Sequence, residues 1–409
     1  MSNFKVGVGY SILEDPKEAG NEAATKALTK LGGSEPTFTI AFCTVQYNEQ
    51  KVINGINKVT KRAPLWGGTS LGGVWTPDGF IESETGAVGV AVLSSPTLAV
   101  GVGATKIRSD GFSEGETATK RALSDVGEHV QAAIDARVSK AIGQEERNPP
   151  DLVLMCAPPG VEEGLLRGIK STFPAKFPIV GGSSADNTLE GNWKQFADLD
   201  VYSDYVSVAV LYAPDLKVGY NFSQEYQPIK SGKATRTKER TLYEIDGRPA
   251  AEVYAEWTGK PLDSIKGGAI LSESFFNPIG IAHEGYWQTV HPGNVNEDLS
   301  IDGFVKIPEG ADIAILSATQ DELVMEANAV FKRAIEVGNI SQPSFGFLVH
   351  CAGCRLAIGD RVGEVVEQAK MALGDTPFIG YNVFGEQATT EKEEIMHCNL
   401  TLSSVVLGT

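Results

Sequence analysis

Two cysteines three residues apart, Cys351 and Cys354, stand between His350 and Arg355. An arginine beside a thiol favours the thiolate and can also clamp a carboxylate with two parallel hydrogen bonds. If one thiol in this chain is reactive, Cys351 is expected to be that one, with Arg355 as the carboxylate partner. The competing reading is a packed strand residue, because Cys351 closes the apolar run FLVH, and cysteine is among the most buried residue types. A zinc site would need four ligands converging from Cys351, Cys354, His350, His397 and Cys398. One CxxC without a second pair does not indicate that, and no metal is assigned. Arg355 follows Cys354 where a c-type haem attachment would need histidine. A thioredoxin-like role needs the motif directly at a helix start, and RLAIG at 355–359 reads as the continuation of a strand end, so that role is not expected.

A second group of candidates repeats along the chain as Pro, two apolar residues and Gly. The elements contribute Gly67, Gly68, Thr69 and Ser70, then Gly181, Gly182, Ser183 and Ser184, then Gly380, Tyr381 and Asn382. Glycine admits a ligand or another backbone closely, and hydroxyls with free N–H groups can hold a carboxylate. Asp186, Asn187 and Glu386 lie just beyond and are candidates for an amino group. Close packing between strands is the alternative for the glycines. Gly68 to Gly72 matches GxSxG, but a nucleophile elbow needs a helix after the serine, and GVWTPDG reads as turn and hairpin. No catalytic residue is assigned. GVGYSI at 7–12 and GVGATK at 101–106 lack the third glycine of a dinucleotide fingerprint and read as Gly-rich strands. His129 falls on a helix among polar neighbours. For haem, His283 and His350 are the residues to test, though no motif marks either.

These residues need elements to hold them. Apolar spacing of three and four predicts helices over 17–31, 48–62, 114–142, 160–172, 249–258, 319–337 and 360–373, with a capping box at Thr319 and Glu322. β-branched runs between them alternate with the helices, which gives an α/β class. The turn at Ser95-Pro96 is too short for a crossover, so 87–94 and 98–104 are expected to pair as a hairpin and the sheets to be mixed. One unit occurs three times: a strand ending in Cys43, Cys156 or Cys351, a helix, the Pro–Gly element, and a closing VAVL, VAVL or SVVL. From Cys to Pro the offsets are 21, 22 and 26 residues. The polar stretch 223–240 reads as a solvated linker, dividing the chain into 1–225 and 240–409.

Composition narrows the function. The formal charge of −17 disfavours nucleic acid and anionic membrane surfaces, which need a basic face. The longest apolar runs fall far short of the ~20 residues of a membrane span. MSNFKVGVGYS lacks a signal-peptide core, and the odd count of five cysteines does not suggest a disulfide framework, so a cytoplasmic protein is expected.

GVGYS at 7–11, PLWGGTS at 64–70, PIVGGSSADN at 178–187 and VSVAVLY at 206–212 resemble a FIST N domain. YEIDGRPAAEVY at 243–254, GFLVHCAGCRLAIG at 346–359 and PFIGYNVFGEQA at 377–388 resemble a FIST C domain. The resemblance implies two FIST-type domains of α/β class built from repeated strand–helix–strand units. It implies a sensory module binding small ligands such as amino acids, with haem in some bacterial relatives. It places the pattern from about Phe4 to Thr409, leaving no room for an F-box or an output domain. A stand-alone protein is expected, signalling through a protein partner.

Overall fold

A computed structural model describes residues 4–129, 149–223 and 225–409. The C-terminal part of the helix expected over 114–142, and the side chain of His129, lie outside the described residues.

Three units follow one another. The first runs β1 (Lys5–Ser11), helix Pro16–Lys30, β2 (Phe38–Cys43), helix Glu49–Val59, β3 (Leu65–Thr69), the hairpin β4 (Val74–Thr76) and β5 (Gly79–Ile81), then β6 (Val88–Ser94). The second runs β7 (Ala99–Lys106), helix Phe112–His129, β8 (Leu152–Ala157), helix Glu162–Ser171, β9 (Ile179–Ser183), the hairpin β10 (Gln195–Ala197) and β11 (Asp200–Tyr202), then β12 (Tyr205–Tyr212). The third opens with β13 (Lys217–Ser223) and is interrupted by an inserted subdomain. That subdomain holds β14 (Gln227–Lys238), β15 (Thr241–Ile245), β16 (Arg248–Pro249), helix Ala250–Thr258, β17 (Ile279–His283), β18 (Tyr286–Val290), β19 (Pro292–Val295), β20 (Ile301–Gly303) and β21 (Asp312–Ser317). The unit resumes with helix Gln320–Val337, β22 (Pro343–Cys351), helices Ala352–Ile358 and Val362–Leu373, β23 (Phe378–Val383), the hairpin β24 (Glu386–Thr389) and β25 (Ile395–Cys398), then β26 (Leu402–Gly408).

Local sequence accounts for the helix starts. Asp15 accepts from the Lys17 and Glu18 amides, Asn48 from Lys51, and Thr319 with Glu322 closes the expected capping box.

The three sheets share one order. Four strands of each unit align as β1-β6-β2-β3, β7-β12-β8-β9 and β13-β26-β22-β23. The Cys strand is parallel to the Gly strand in each, and the closing strand is antiparallel to the Cys strand. Each sheet is completed by a hairpin from another unit. β10–β11 adds to β3, β24–β25 to β9, and β4–β5 to β23. This cyclic exchange interlocks the two halves of the chain. Two expectations fail here. β6 and β7 do not pair as a hairpin: they belong to different sheets, and Ser95-Pro96 carries the chain from one sheet to the next. Residues 223–240 are not a linker either, because β14 pairs with β21 through one half and with β15 through the other.

The inner faces of the three sheets meet in one apolar core that includes Phe42, Trp66, Leu154, Phe347 and Tyr381. The rings of Phe42 and Tyr381 stack with centroids 4.0 Å apart. Helices cover the outer faces. The leading strands carry glycine because helix backbone lies directly on them: a Cβ on Gly7, Gly101 or Gly219 would come within 1.9, 2.0 and 2.0 Å of the Ala27, Ala122 and Ala334 carbonyl oxygens.

Candidate functional site

The structure brings the three Pro–Gly elements together. They meet as a closed junction. At its centre the Ser70 hydroxyl donates to the Gly73 carbonyl and accepts from the Asn382 N–H at 2.9 Å. The Asn382 amide donates to the Leu71 carbonyl at 2.7 Å and accepts from the Trp75 indole at 2.8 Å. Thr69 accepts from the Lys194 N–H. Ser184 lies 3.0 Å from the Cys156 sulfur and accepts from Gln195. Tyr381 is buried in the shared core with its hydroxyl toward Cys156. The glycines serve close approach between strands: a Cβ on Gly67 or Gly181 would fall 1.8 or 1.9 Å from the Ala41 or Met155 carbonyl oxygen. On Gly68, Gly182 and Gly380 it would meet Cys156, Val383 and Leu348 at 2.6, 2.4 and 2.7 Å. Asp186 folds its own loop by accepting from the amides of Thr188, Leu189, Glu190 and Asn192, and Asn187 accepts from the Gly72 amide.

Ser183 belongs to a second buried group. Its hydroxyl donates to Glu162 at 2.8 Å, and the other Glu162 oxygen accepts from Arg240 at 2.7 Å. Arg240 also holds Glu163 at 2.6 Å. Gln387 donates to Ser183 and lies 3.0 Å from His397 Nδ1, while His397 Nε2 is 3.0 Å from the Phe304 carbonyl. Burial disfavours the Glu162 carboxylate, but His397 and Arg240 outweigh it and hold the group at about 2. Arg240 and Phe304 come from the inserted subdomain, so this group latches the subdomain to the second and third units.

The third group surrounds Cys351. β22 ends at Cys351 and helix Ala352–Ile358 begins at the next residue. The expectation that the CxxC lacks a helix start is therefore wrong: the sulfurs face each other across a strand-to-helix turn. The Leu400 N–H donates to the Cys351 sulfur at 3.2 Å. Burial opposes the Cys351 thiolate, but the Cys354 thiol and the amides of Cys354, Gly353 and Leu400 bring it below the usual thiol range. Burial pushes Cys43, Cys156, Cys354 and Cys398 up instead. Glu386 accepts from the Thr401 amide and hydroxyl through one oxygen, and its carboxyl borders Cys351. Burial first, then the Cys351 charge, pushes this carboxyl well up. Glu326 is fully buried, and neither of its oxygens has a hydrogen-bond partner among the described residues. Burial and then Glu225 push it well up too, against a smaller opposing pull from the nearby Leu402 backbone N–H, and Cys351 adds to the rise. Arg355 turns away from this group. It bonds the Gly359 carbonyl and Glu82, and lies over the Phe80 ring, holding the β4–β5 hairpin in place.

A cleft of about 740 Å³ opens between the β17–β18 hairpin and the third unit, with Tyr226, Tyr286, Trp287, Arg333, Glu391 and Lys392 among its walls. A second hollow of about 640 Å³ shares His283, Tyr286 and Lys392 with it. Arg333 meets both oxygens of Glu391. Apart from His283, none of these residues stood out in the sequence, because the walls come from four separated segments. His283 is exposed and stacks on Tyr286, without the apolar enclosure a haem needs. His350 is closed in against Trp75, bonded to the Cys351 carbonyl, and lowered to about 4 by burial. The residues around these two rings do not fit a haem. Among the described residues, no three His, Cys, Asp or Glu side chains are arranged to hold a metal.

A FIST N domain model matches residues 37–248 and a FIST C domain model residues 250–389. The chain belongs to the FIST family, whose domains are associated with sensing in signal transduction. No curated protein matches it. Among solved structures it is similar to phosphoribosylformylglycinamidine synthase II from Thermotoga maritima, at 11% identity over 99% of this chain and 72% of that one, TM-score 0.24. It is also similar to a chorismatase, at 7% identity over 98% of each chain, TM-score 0.33. No helix among the described residues is long and apolar enough to cross a membrane.

Proposed function

We propose that this FIST protein is a small-ligand sensor whose ligand occupies the cleft under the β17–β18 hairpin. The observation that carries this reading is the cleft's mixed wall. The Arg333–Glu391 pair offers a fork for a carboxylate and an acceptor for an ammonium, beside the apolar faces of Tyr286 and Trp287. A zwitterion with an apolar body, such as an amino acid, matches both. The cleft lies between the inserted subdomain and the third unit, so filling it biases how the subdomain sits, and a protein partner reads that change. Five unpaired, buried cysteines suit a reducing, cytoplasmic setting.

The protein acts by binding and not by catalysis. Ser70 already donates to a carbonyl, and the carboxylate beside Ser183 is too weak a base to activate it. Neither serine should be labelled by a fluorophosphonate probe.

Isothermal titration of the purified protein with each of the twenty L-amino acids tests the proposal. At least one should bind, and Arg333→Ala should weaken it roughly ten- to a hundredfold, the loss of one charge-assisted contact worth ~1.5–3 kcal/mol. Binding by none of them, or undiminished binding by the variant, would remove the cleft from consideration.

A further inference from the structure

The cysteine pair at the end of β22 does nothing in the ligand cleft, yet its surroundings are unlike those of the other thiols. Cys351 is 4% exposed, while Cys354, Cys43, Cys156 and Cys398 are 0%. Cys351 is thus the least enclosed of the five. Residues three apart at a helix start bring Cβ atoms within ~5–6 Å, a small adjustment from the ~3.5–4.5 Å of a disulfide. Two carboxyl groups with unpartnered buried oxygens, Glu326 and Glu386, border the pair. A buried polar atom without a partner costs ~1–3 kcal/mol and needs a reason for being there.

We propose that Cys351 and Cys354 form a hydroperoxide-sensitive dithiol, with Glu386 as the proton donor to the departing oxygen. The Cys351 thiolate attacks one peroxide oxygen, forming an S–O bond as the O–O bond breaks. The departing alkoxide or hydroxide takes the Glu386 proton and leaves as alcohol or water. Cys354 then attacks the Cys351 sulfur of the sulfenic acid, forming S–S as S–O breaks. Its proton joins the departing hydroxide as water, and Glu386 regains a proton from solvent. The two thiols lose two electrons and the peroxide gains them. The Leu400 N–H to the Cys351 sulfur, and the Thr401 bonds that hold Glu386, fix the attacking and donating groups.

The full chain provides a direct readout. Arg333 and Arg355 bound a tryptic peptide, 334–355, that contains both cysteines. After hydrogen peroxide, unfolding and alkylation, that peptide should be unalkylated and lighter by two hydrogens, while Cys43, Cys156 and Cys398 are alkylated. Dithiothreitol should restore two alkylatable thiols. Cys354→Ser should stop at a Cys351 sulfenic acid that a cyclic 1,3-diketone captures. Glu386→Gln should slow oxidation by ~10²-fold without moving the pH midpoint of the reaction above the thiol's own. Sulfinic acid at Cys351 with free Cys354 in the wild-type protein, or both thiols still alkylatable, would overturn the dithiol. An unchanged rate in folded Glu386→Gln would overturn the proton donor. None of these results depends on a ligand in the cleft.

Discussion

The Asn382 junction and the Cys351–Glu326 group sit at the ends of neighbouring parallel strands, β23 and β22, and both are buried. At the junction the Asn382 side chain has a partner for both its donor and its acceptor side, and the strands it joins come from the first and third units. Around Cys351, neither Glu326 oxygen has a hydrogen-bond partner among the described residues, and Glu386 uses only one oxygen. The same depth of burial thus serves two ends. A satisfied network specifies which strands meet, since any other pairing would orphan its members. An unsatisfied one costs stability and persists where chemistry uses the uncommitted groups.

Breaking a satisfied group should cost most at the Glu162 latch, which joins the inserted subdomain to the rest. Arg240→Ala strips a buried carboxylate of a counter-charge that also hydrogen-bonds it and should lose ~3–5 kcal/mol at pH 7. The acid dependence checks the cause. Glu162 is held at about 2 against an ordinary value of 4.5, so it stabilises the folded state above pH ~4.5. That contribution, on the order of 3 kcal/mol, fades as pH falls toward 2. Urea unfolding at pH 7 and pH 3 should show the variant and wild type converging in acid. Equal differences at both pH values would place the latch energy elsewhere.

At the junction itself, Asn382→Leu keeps the volume but leaves the Trp75 indole N–H without its partner and the Leu71 carbonyl with the Gly73 N–H alone. A loss of ~2–3 kcal/mol is expected from the same measurement. A neutral result would mean that the network follows from the strand pairing instead of specifying it.

How much of this was legible depends on whether the signal was local. The capping box at Thr319, the Cys-strand to Gly-strand order and the unpaired thiols were, since each is set within a short stretch of chain. The hairpin exchange was not: Trp75 finds Asn382 more than 300 positions away, and nothing in VWT names its partner. β14 hid for another reason. Of its twelve residues only Ala234 is buried, so backbone pairing holds it while the side chains show no alternation. The CxxC was seen, but its helix was missed because AGCRLAI gives one short element of seven residues directly after a strand, ended by Gly359. The latch was invisible for the same reason as the exchange, with Glu162, Arg240 and His397 far apart in the chain.

The unsatisfied group should respond with the opposite sign. Glu326 lies on the buried face of helix Gln320–Val337, among Leu323, Val330 and Phe331. Its burial pushes the carboxyl well up, so the folded chain keeps a proton that the unfolded chain releases above the ordinary carboxyl range. Stability contributed by that proton is complete below pH ~4.5 and is lost as pH rises toward the folded-state value. Methionine has nearly the same length, has no titrating group and makes good use of an apolar site. Glu326→Met should therefore gain ~1 kcal/mol at pH 7, the smallest of these effects, because desolvation relief is partly offset by imperfect packing. The gain should be larger at pH 8 than at pH 5 in urea melts of the two proteins. A destabilised variant with a flat pH profile would mean that Glu326 has a partner in solution, such as a bound water, and the contrast with Asn382 would collapse. If the gain appears but peroxide oxidation of Cys351 proceeds at the wild-type rate, the unpartnered carboxyl that matters to the dithiol is Glu386 alone.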